Sequence, residues 1–163
     1  NVLTFATEIM QKKPSNLFIS YIPSPTALRV ISIIHMGLYR MTCGRLGKRL
    51  DGMDILLLAT RGRKTGKRYK TPMPYFEHPR GYLLIASNAG STTNPGWFYN
   101  LQQEPNIIIQ VGNKIEELIA SPLLQAERME WWRRLIELQP RYKRYQEKTQ
   151  RVIPLVLLTK VGQ

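Results

Sequence analysis

The stretch Asp54-Ile-Leu-Leu-Leu-Ala-Thr-Arg-Gly-Arg-Lys-Thr-Gly-Lys-Arg-Tyr-Lys-Thr-Pro-Met-Pro74 decides how this chain folds. Asp54 to Ala59 is a short apolar run that reads as a buried strand. Gly62-Arg-Lys-Thr-Gly66 is a turn, because its glycines free the backbone for tight reversal. Arg68 to Glu77 alternates as a second strand. Pro72 and Pro74 have no N–H to give to a ladder, so that strand is expected at an edge or with a bulge.

Downstream the same logic repeats. His78-Pro-Arg-Gly81 turns into a strand over Tyr82 to Ser87, followed by a polar loop from Asn88 to Thr93. Asn94-Pro95 reads as an N-cap and a first helical proline, opening a short helix to about Gln103. Asn106 to Val111 and Lys114 to Ala120 are strands joined by Gly112-Asn113, a strong two-residue turn. Leu124 to Leu138 and Arg141 to Thr149 follow as helices, and Val152 to Thr159 as a last strand. Upstream, Leu28, Ile31, Ile34, Leu38 and Met41 recur at helical spacing after Ser24-Pro25. The sum is an α+β, mainly β chain: six antiparallel strands with flanking helices, whose closure into a small barrel would hide both edges. Residues 1–24 read as an N-terminal extension, helical in part, and residues 25–163 as a single domain.

Composition narrows the function. The 163 residues carry 24 Lys+Arg against 11 Asp+Glu, a formal charge of +13, so an anionic partner is expected: nucleic acid, a membrane surface or a polyanionic small molecule. Cys43 is the only cysteine, which removes intramolecular disulfides and cysteine-based zinc sites. Two histidines, His35 and His78, and scattered carboxylates leave no material for a metal centre, and none is expected. The most apolar stretch, Ala27 to Met41, is broken by Arg29, His35 and Arg40 and is shorter than the roughly 20 residues of a membrane span. With no signal-peptide pattern, the expectation is a cytoplasmic protein.

No side-chain catalyst stands out. There is no G-x-S-x-G elbow, and the adjacent Glu116 and Glu117 point to opposite faces of a strand. The conspicuous feature is Arg61 to Lys70, with six basic residues in ten and no acid. It is not a Walker A loop, since only three residues separate Gly62 from Gly66 and Arg68 follows Lys67. Its chemistry nevertheless suits phosphate: backbone N–H groups can line a concavity, Thr65 adds a hydroxyl, and Arg63 and Lys64 add charge-assisted donors. Ser87 and Asn88, ahead of the helix that starts near Pro95, form a second anion-friendly element. Tyr142 and Tyr145, three apart, share one helix face. Trp131 and Trp132 read as packing residues.

In their order, Leu57-Leu-Ala-Thr-Arg-Gly-Arg-Lys-Thr-Gly66, Ala86-Ser-Asn-Ala-Gly90, Asn94-Pro-Gly-Trp-Phe-Tyr-Asn-Leu101 and Tyr142-x-x-Tyr145-x-x-x-Thr149-x-Arg151-x-Ile153-Pro154 resemble the deazaflavin-dependent nitroreductase family. The resemblance runs from about His35 to Val161. It implies a split β-barrel and binding of coenzyme F420, an 8-hydroxy-5-deazaflavin with a phosphate and an oligoglutamate tail. Arg63, Lys64, Thr65 and Gly66 match the family's phosphate loop, with Arg68 beside it. Pro72 and Met73 match the wall beside the deazaflavin ring. Ser87 and Asn88 match positions near the phosphate and tail, Asn94, Trp97 and Asn100 the short-helix motif, and Tyr142 and Tyr145 substrate-side tyrosines.

Three positions depart from the family pattern. Gly96 stands where a large residue is common and widens the ring pocket, Tyr69 replaces an arginine for which the adjacent Arg68 is the expected substitute, and Gln139 replaces the first C-terminal aromatic. The implied activity is hydride transfer from reduced F420 to an electron-poor acceptor: a quinone, a nitroarene or an activated alkene. The cofactor supplies the hard step, which is why no triad or metal is needed, and Tyr142 or Tyr145 is the candidate proton donor. The residues alone also fit a barrel that binds FMN or has lost catalysis, and a basic nucleic-acid module. With F420 as partner no nucleic acid is expected. Contact with the inner membrane face is compatible with the charge, and either a monomer or a homodimer with the sequence.

Overall fold

The computed structural model describes residues 49–50 and 52–160, so the readings that fall on residues 1–48, including the 25–41 helix, His35 and Cys43, lie outside the described residues. Eight antiparallel strands form one sheet: β1 (Arg49–Leu50), β2 (Met53–Arg61), β3 (Arg68–Pro74), β4 (Phe76–His78), β5 (Gly81–Ile85), β6 (Asn106–Val111), β7 (Lys114–Pro122) and β8 (Leu155–Lys160). Among the described residues three α-helices accompany them: α1 (Gly96–Gln103), α2 (Gln125–Leu138) and α3 (Arg141–Glu147). The ladders run β1-β2-β6-β7-β8-β5-β4, with β3 on the other side of β2.

Two strands more than the expected six arise from two causes. The short β1 pairs with the start of β2. The expected strand Arg68 to Glu77 divides at Tyr75, whose N–H makes the last bond in register with β2, to Asp54 O at 3.0 Å, before the chain passes to β5. Its first part pairs with β2, Ile55 against Pro74 through Arg61 against Arg68, and its second part with β5. The prolines at 72 and 74 explain why so long a strand does not run on unbroken. The β6–β7 hairpin turns at Gly112-Asn113 as expected, with Val111 opposite Lys114. The helix after Asn94-Pro95 starts one residue later than its pattern suggests: Pro95 takes the N-cap position, and Asn94 is engaged elsewhere.

Alternation along the strands builds two cores. One face gathers Leu56, Leu58, Met73, Tyr75, Leu84, Ala86, Ile107, Ile109, Leu118, Val156 and Leu158, together with Trp97, Phe98 and Leu101 of α1. The opposite face of β5 and β8 presents Leu83, Ile85, Leu155 and Leu157 to Leu135 of α2 and Tyr142 of α3. A strand buried on both faces needs consecutive apolar residues, which is why 82–86 and 155–158 read as unbroken runs.

Two polar groups are half-buried beside these cores. Tyr82 donates to Glu116 Oε1 at 2.7 Å. Burial, reinforced by that carboxylate, pushes the Tyr82 phenol up to about 12. Burial of Glu116 opposes ionisation, yet hydrogen bonds from Tyr82 and Lys114 outweigh it and hold the carboxyl below its ordinary value. Glu117 is exposed on the other face, in keeping with strand alternation.

His78, at the end of β4, is buried against Trp131, with ring centroids 4.5 Å apart. Its Nδ1 accepts the Arg80 N–H at 3.1 Å, which leaves the proton on Nε2, 3.4 Å from Glu127 Oε1. Burial and the Arg80 guanidinium lower its pKa, outweighing Glu127. The unfolded chain therefore binds the proton more readily, so the stability owed to neutral His78 is present above the ordinary value of 6.5 and is lost as pH falls through it. Thermal unfolding midpoints measured between about pH 7.5 and 5 should fall for the native chain and fall less for His78→Gln. Equal slopes in the two proteins would remove His78 from this account.

Candidate functional site

The β2–β3 hairpin and α1 come together at Asn100. Buried on α1, it donates from Nδ2 to Thr60 Oγ1 at 3.3 Å and accepts the Arg63 N–H on Oδ1 at 3.2 Å. One amide thus ties the end of β2, the turn and the helix together. Arg63 adds two contacts to α1: Nη1 lies 3.4 Å from Gly96 O, and the guanidinium sits 4.7 Å over the Tyr99 ring.

Between hairpin and helix lies a cavity of about 390 Å³, lined by Thr60, Gly62, Arg63, Lys64, Thr65, Tyr69, Thr71, Gly96, Trp97 and Asn100. That is within the range of small-molecule sites. A Cβ at Gly96 would meet nothing within 4 Å, so glycine leaves the helix side open to a flat ligand. Trp97 is largely core, edge-on to Phe98, and offers the cavity one side of its indole.

The loop's amides are mostly occupied. Gly62 N–H donates to Lys67 O, Thr65 and Gly66 N–H to Gly62 O, and Arg63 N–H to Asn100. Lys67 N–H donates to Thr65 Oγ1 at 3.3 Å, and the Tyr69 hydroxyl lies 3.1 Å from the same oxygen. The expected cradle of backbone donors is therefore committed to holding the turn. For an anion the loop instead presents the Arg63 guanidinium, the Lys64 ammonium and the Thr65 hydroxyl. These are strong donors for phosphate.

Of the residues singled out from sequence, Arg63, Lys64, Thr65, Gly96, Trp97 and Asn100 meet in the cavity lining. Gly66 closes the turn beside it with φ +66°. Strand alternation separates the next set: Tyr69, Thr71 and Met73 share one face of β3, and Arg68, Lys70 and Pro72 the other. Tyr69 and Thr71 thus reach the lining, Met73 is buried deeper in the first core, and Arg68 and Pro72 do not line the cavity. Arg68 is therefore no substitute for the missing arginine on that wall; Tyr69 holds the inward position.

Ser87, Asn88 and Asn94 lie on the loop that leads into α1. Asn88 Nδ2 donates to Thr93 O at 3.0 Å, and Asn94 Oδ1 accepts from Arg151 at 2.7 Å. Tyr142 and Tyr145 do share a helix face, with ring centroids 5.9 Å apart, but both pack in the second core rather than at the cavity. Tyr142 is only 4 % exposed, and its hydroxyl donates to Met53 Sδ at 3.6 Å. Sequence reasoning did not assign Thr60, Tyr69, Thr71 and Arg151 to the site. Thr60 and Thr71 follow from strand alternation once the register is known, whereas the contacts of Arg151 span 57 residues or more of chain.

A model of the F420H(2)-dependent quinone reductase family matches residues 32–160. An F420H(2)-dependent quinone reductase of Mycobacterium tuberculosis is 37% identical over 131 residues, covering 78% of this chain and 88% of its own. A solved structure described as an F420-H2 dependent reductase (FDR-A) superposes with a TM-score of 0.57 at 35% identity, over 64% of this chain and 92% of that one. A second, described as a domain-swapped dimer, gives 0.60 at 33% identity, over 83% and 99%.

Proposed function

The chain belongs to the F420H(2)-dependent quinone reductase family, an oxidoreductase family that uses coenzyme F420, and from that premise we propose that it reduces a quinone with F420 docked between the β2–β3 turn and α1. The observation that carries this reading is the convergence of Arg63, Lys64 and Thr65 with the open Gly96 on one cavity. Cations and a hydroxyl at the turn suit the anionic end of the cofactor, and the glycine gap suits its flat ring. When bound and reduced, the deazaflavin supplies a hydride from C5, a two-electron donor that leaves the protein to orient and to stabilise.

In this reading Arg63 and Lys64 hold the phosphate and Thr65 donates its hydroxyl proton to it. Asn100 keeps Arg63 and the end of β2 in place, and Trp97 closes one wall against water. Tyr69 and Gly96 set the shape of the opening on the acceptor side. Gly66, Met73, Ser87, Asn88 and Asn94 shape the surround, and the oligoglutamate tail lies along the basic loop. The sheet is read as a split barrel, supported by β3 and β4 behaving as one strand bent at Tyr75 that pairs with β2 before the bend and β5 after it. The proton that balances hydride transfer is assigned to Tyr145, half-buried on α3 outside the cavity lining; the assignment rests on the family resemblance and requires the quinone to reach from the cavity to α3.

The test is anaerobic mixing of F420H2 with a soluble quinone. Catalysed oxidation of F420H2 with matching loss of quinone supports the proposal, and no acceleration by the protein overturns it. Tyr145→Phe should lower kcat by about 10-fold or more while F420 affinity stays. An unchanged kcat removes the proton-donor assignment and leaves the cofactor site standing. Nitroarenes and activated alkenes belong in the same assay as competing acceptors.

A further inference from the structure

The guanidinium of Arg151 grips one segment of chain, residues 86–94. Nε donates to Ser91 O at 2.8 Å, Nη1 to Asn94 Oδ1 at 2.7 Å, and Nη2 to Ala86 O at 3.2 Å and Ser87 O at 2.6 Å. The segment it grips is strained. Asn88, Ala89 and Gly90 follow one another in the left-handed region, with φ of +47°, +53° and +83°. Asparagine tolerates that conformation and glycine adopts it freely, but alanine does not. At Gly90 a Cβ would stand 2.7 Å from Tyr145 O, so the turn is also pressed onto α3. Arg151 is itself held from behind, because Gln146 donates to Arg151 O at 2.7 Å and accepts the Ile153 N–H at 3.1 Å. The strain thus persists because the surroundings over-determine it, a pattern that marks functional segments.

The clamp reaches the cavity through Asn94, which is gripped by Nη1 and stands two residues before Gly96 of the cavity lining; the same helix end carries the Gly96 carbonyl that Arg63 Nη1 approaches at 3.4 Å. We infer that Arg151 is a positioning residue of the cofactor site: its fork holds the left-handed 88–90 turn and the start of α1 in the shape that places Gly96 and Arg63. This rests on reading the cavity as the F420 site. Lysine cannot replace the fork, since a single ammonium offers no planar set of donors for four acceptors.

The test uses the full chain with F420 fluorescence titration and amide hydrogen exchange. Arg151→Lys should weaken F420 binding by about 10-fold. In the ligand-free protein it should speed exchange at amides of the 87–94 loop while amides in β5 and β8 keep their protection. Adding Ala89→Gly to Arg151→Lys should recover part of the affinity, because glycine holds the turn without the clamp. Native affinity in Arg151→Lys overturns the inference. So does a loss of affinity that is matched by exchange throughout the sheet and not relieved by Ala89→Gly, since Arg151 would then serve general stability. If the native chain itself binds no F420, the cofactor reading fails and the inference with it, and the two failures are told apart by that first titration.

Discussion

Alanine in place of Arg63 is expected to weaken F420 binding by about 10- to 100-fold, the worth of one or two charged hydrogen bonds. Arg63 does two things at once. Its side chain brings a cation to the cavity, and its contacts with Gly96 O and the Tyr99 ring fix the turn against α1. Its backbone N–H bond to Asn100 survives the substitution, so the turn stays attached and the loss reports the side chain. Lys67→Ala is the control. Lys67 is exposed in the same basic loop but does not line the cavity, and its removal should change affinity by about twofold at most. Equal losses from the two variants would mean that diffuse charge, not a built site, attracts the cofactor.

The largest expected effect on stability is at Gly81. It opens β5 with φ +145°, and a Cβ there would collide with the Leu158 carbonyl on the neighbouring strand. The obstacle is backbone within a ladder and cannot swing aside. Gly81→Ala must therefore part β5 from β8, the strands that serve both cores. A cost of about 3 kcal/mol or more is expected, from overpacking added to a disfavoured φ. For a chain of this size that lowers the unfolding midpoint by about 6–12 °C in a thermal melt. A midpoint within a degree or two of native would show that the β5–β8 contact is looser than described.

The hairpin at 53–74 and the turn at Gly112-Asn113 were legible because each is settled by neighbours in sequence: alternation, glycine and proline. What was not legible depends on distant partners. Nothing near Tyr75 announces that the chain will pass there from β2 to β5, so the break between β3 and β4 is visible only in three dimensions. Arg68 looks like a substitute for the arginine that Tyr69 replaces until the β3 register shows that Tyr69 and not Arg68 is on the cavity side. Tyr142 and Tyr145 carry a correct spacing, but spacing cannot say which core a helix face meets. Arg151 looks like one more exposed cation in a basic chain, yet its partners are carbonyls and an amide 57 to 65 residues away. The phosphate loop illustrates a subtler limit. Its residues stand together in the sequence and three of them meet in the cavity lining, but most of its amides hold the turn rather than face a ligand.

The most direct measurement is a fluorescence titration of the intact chain with F420 at low ionic strength, with Lys64→Ala alongside. The account predicts saturable binding at about micromolar or tighter, weakened in Lys64→Ala, whose ammonium lines the cavity. No saturable binding by the native chain, or identical binding by the variant, would contradict the placement of the cofactor between the β2–β3 turn and α1.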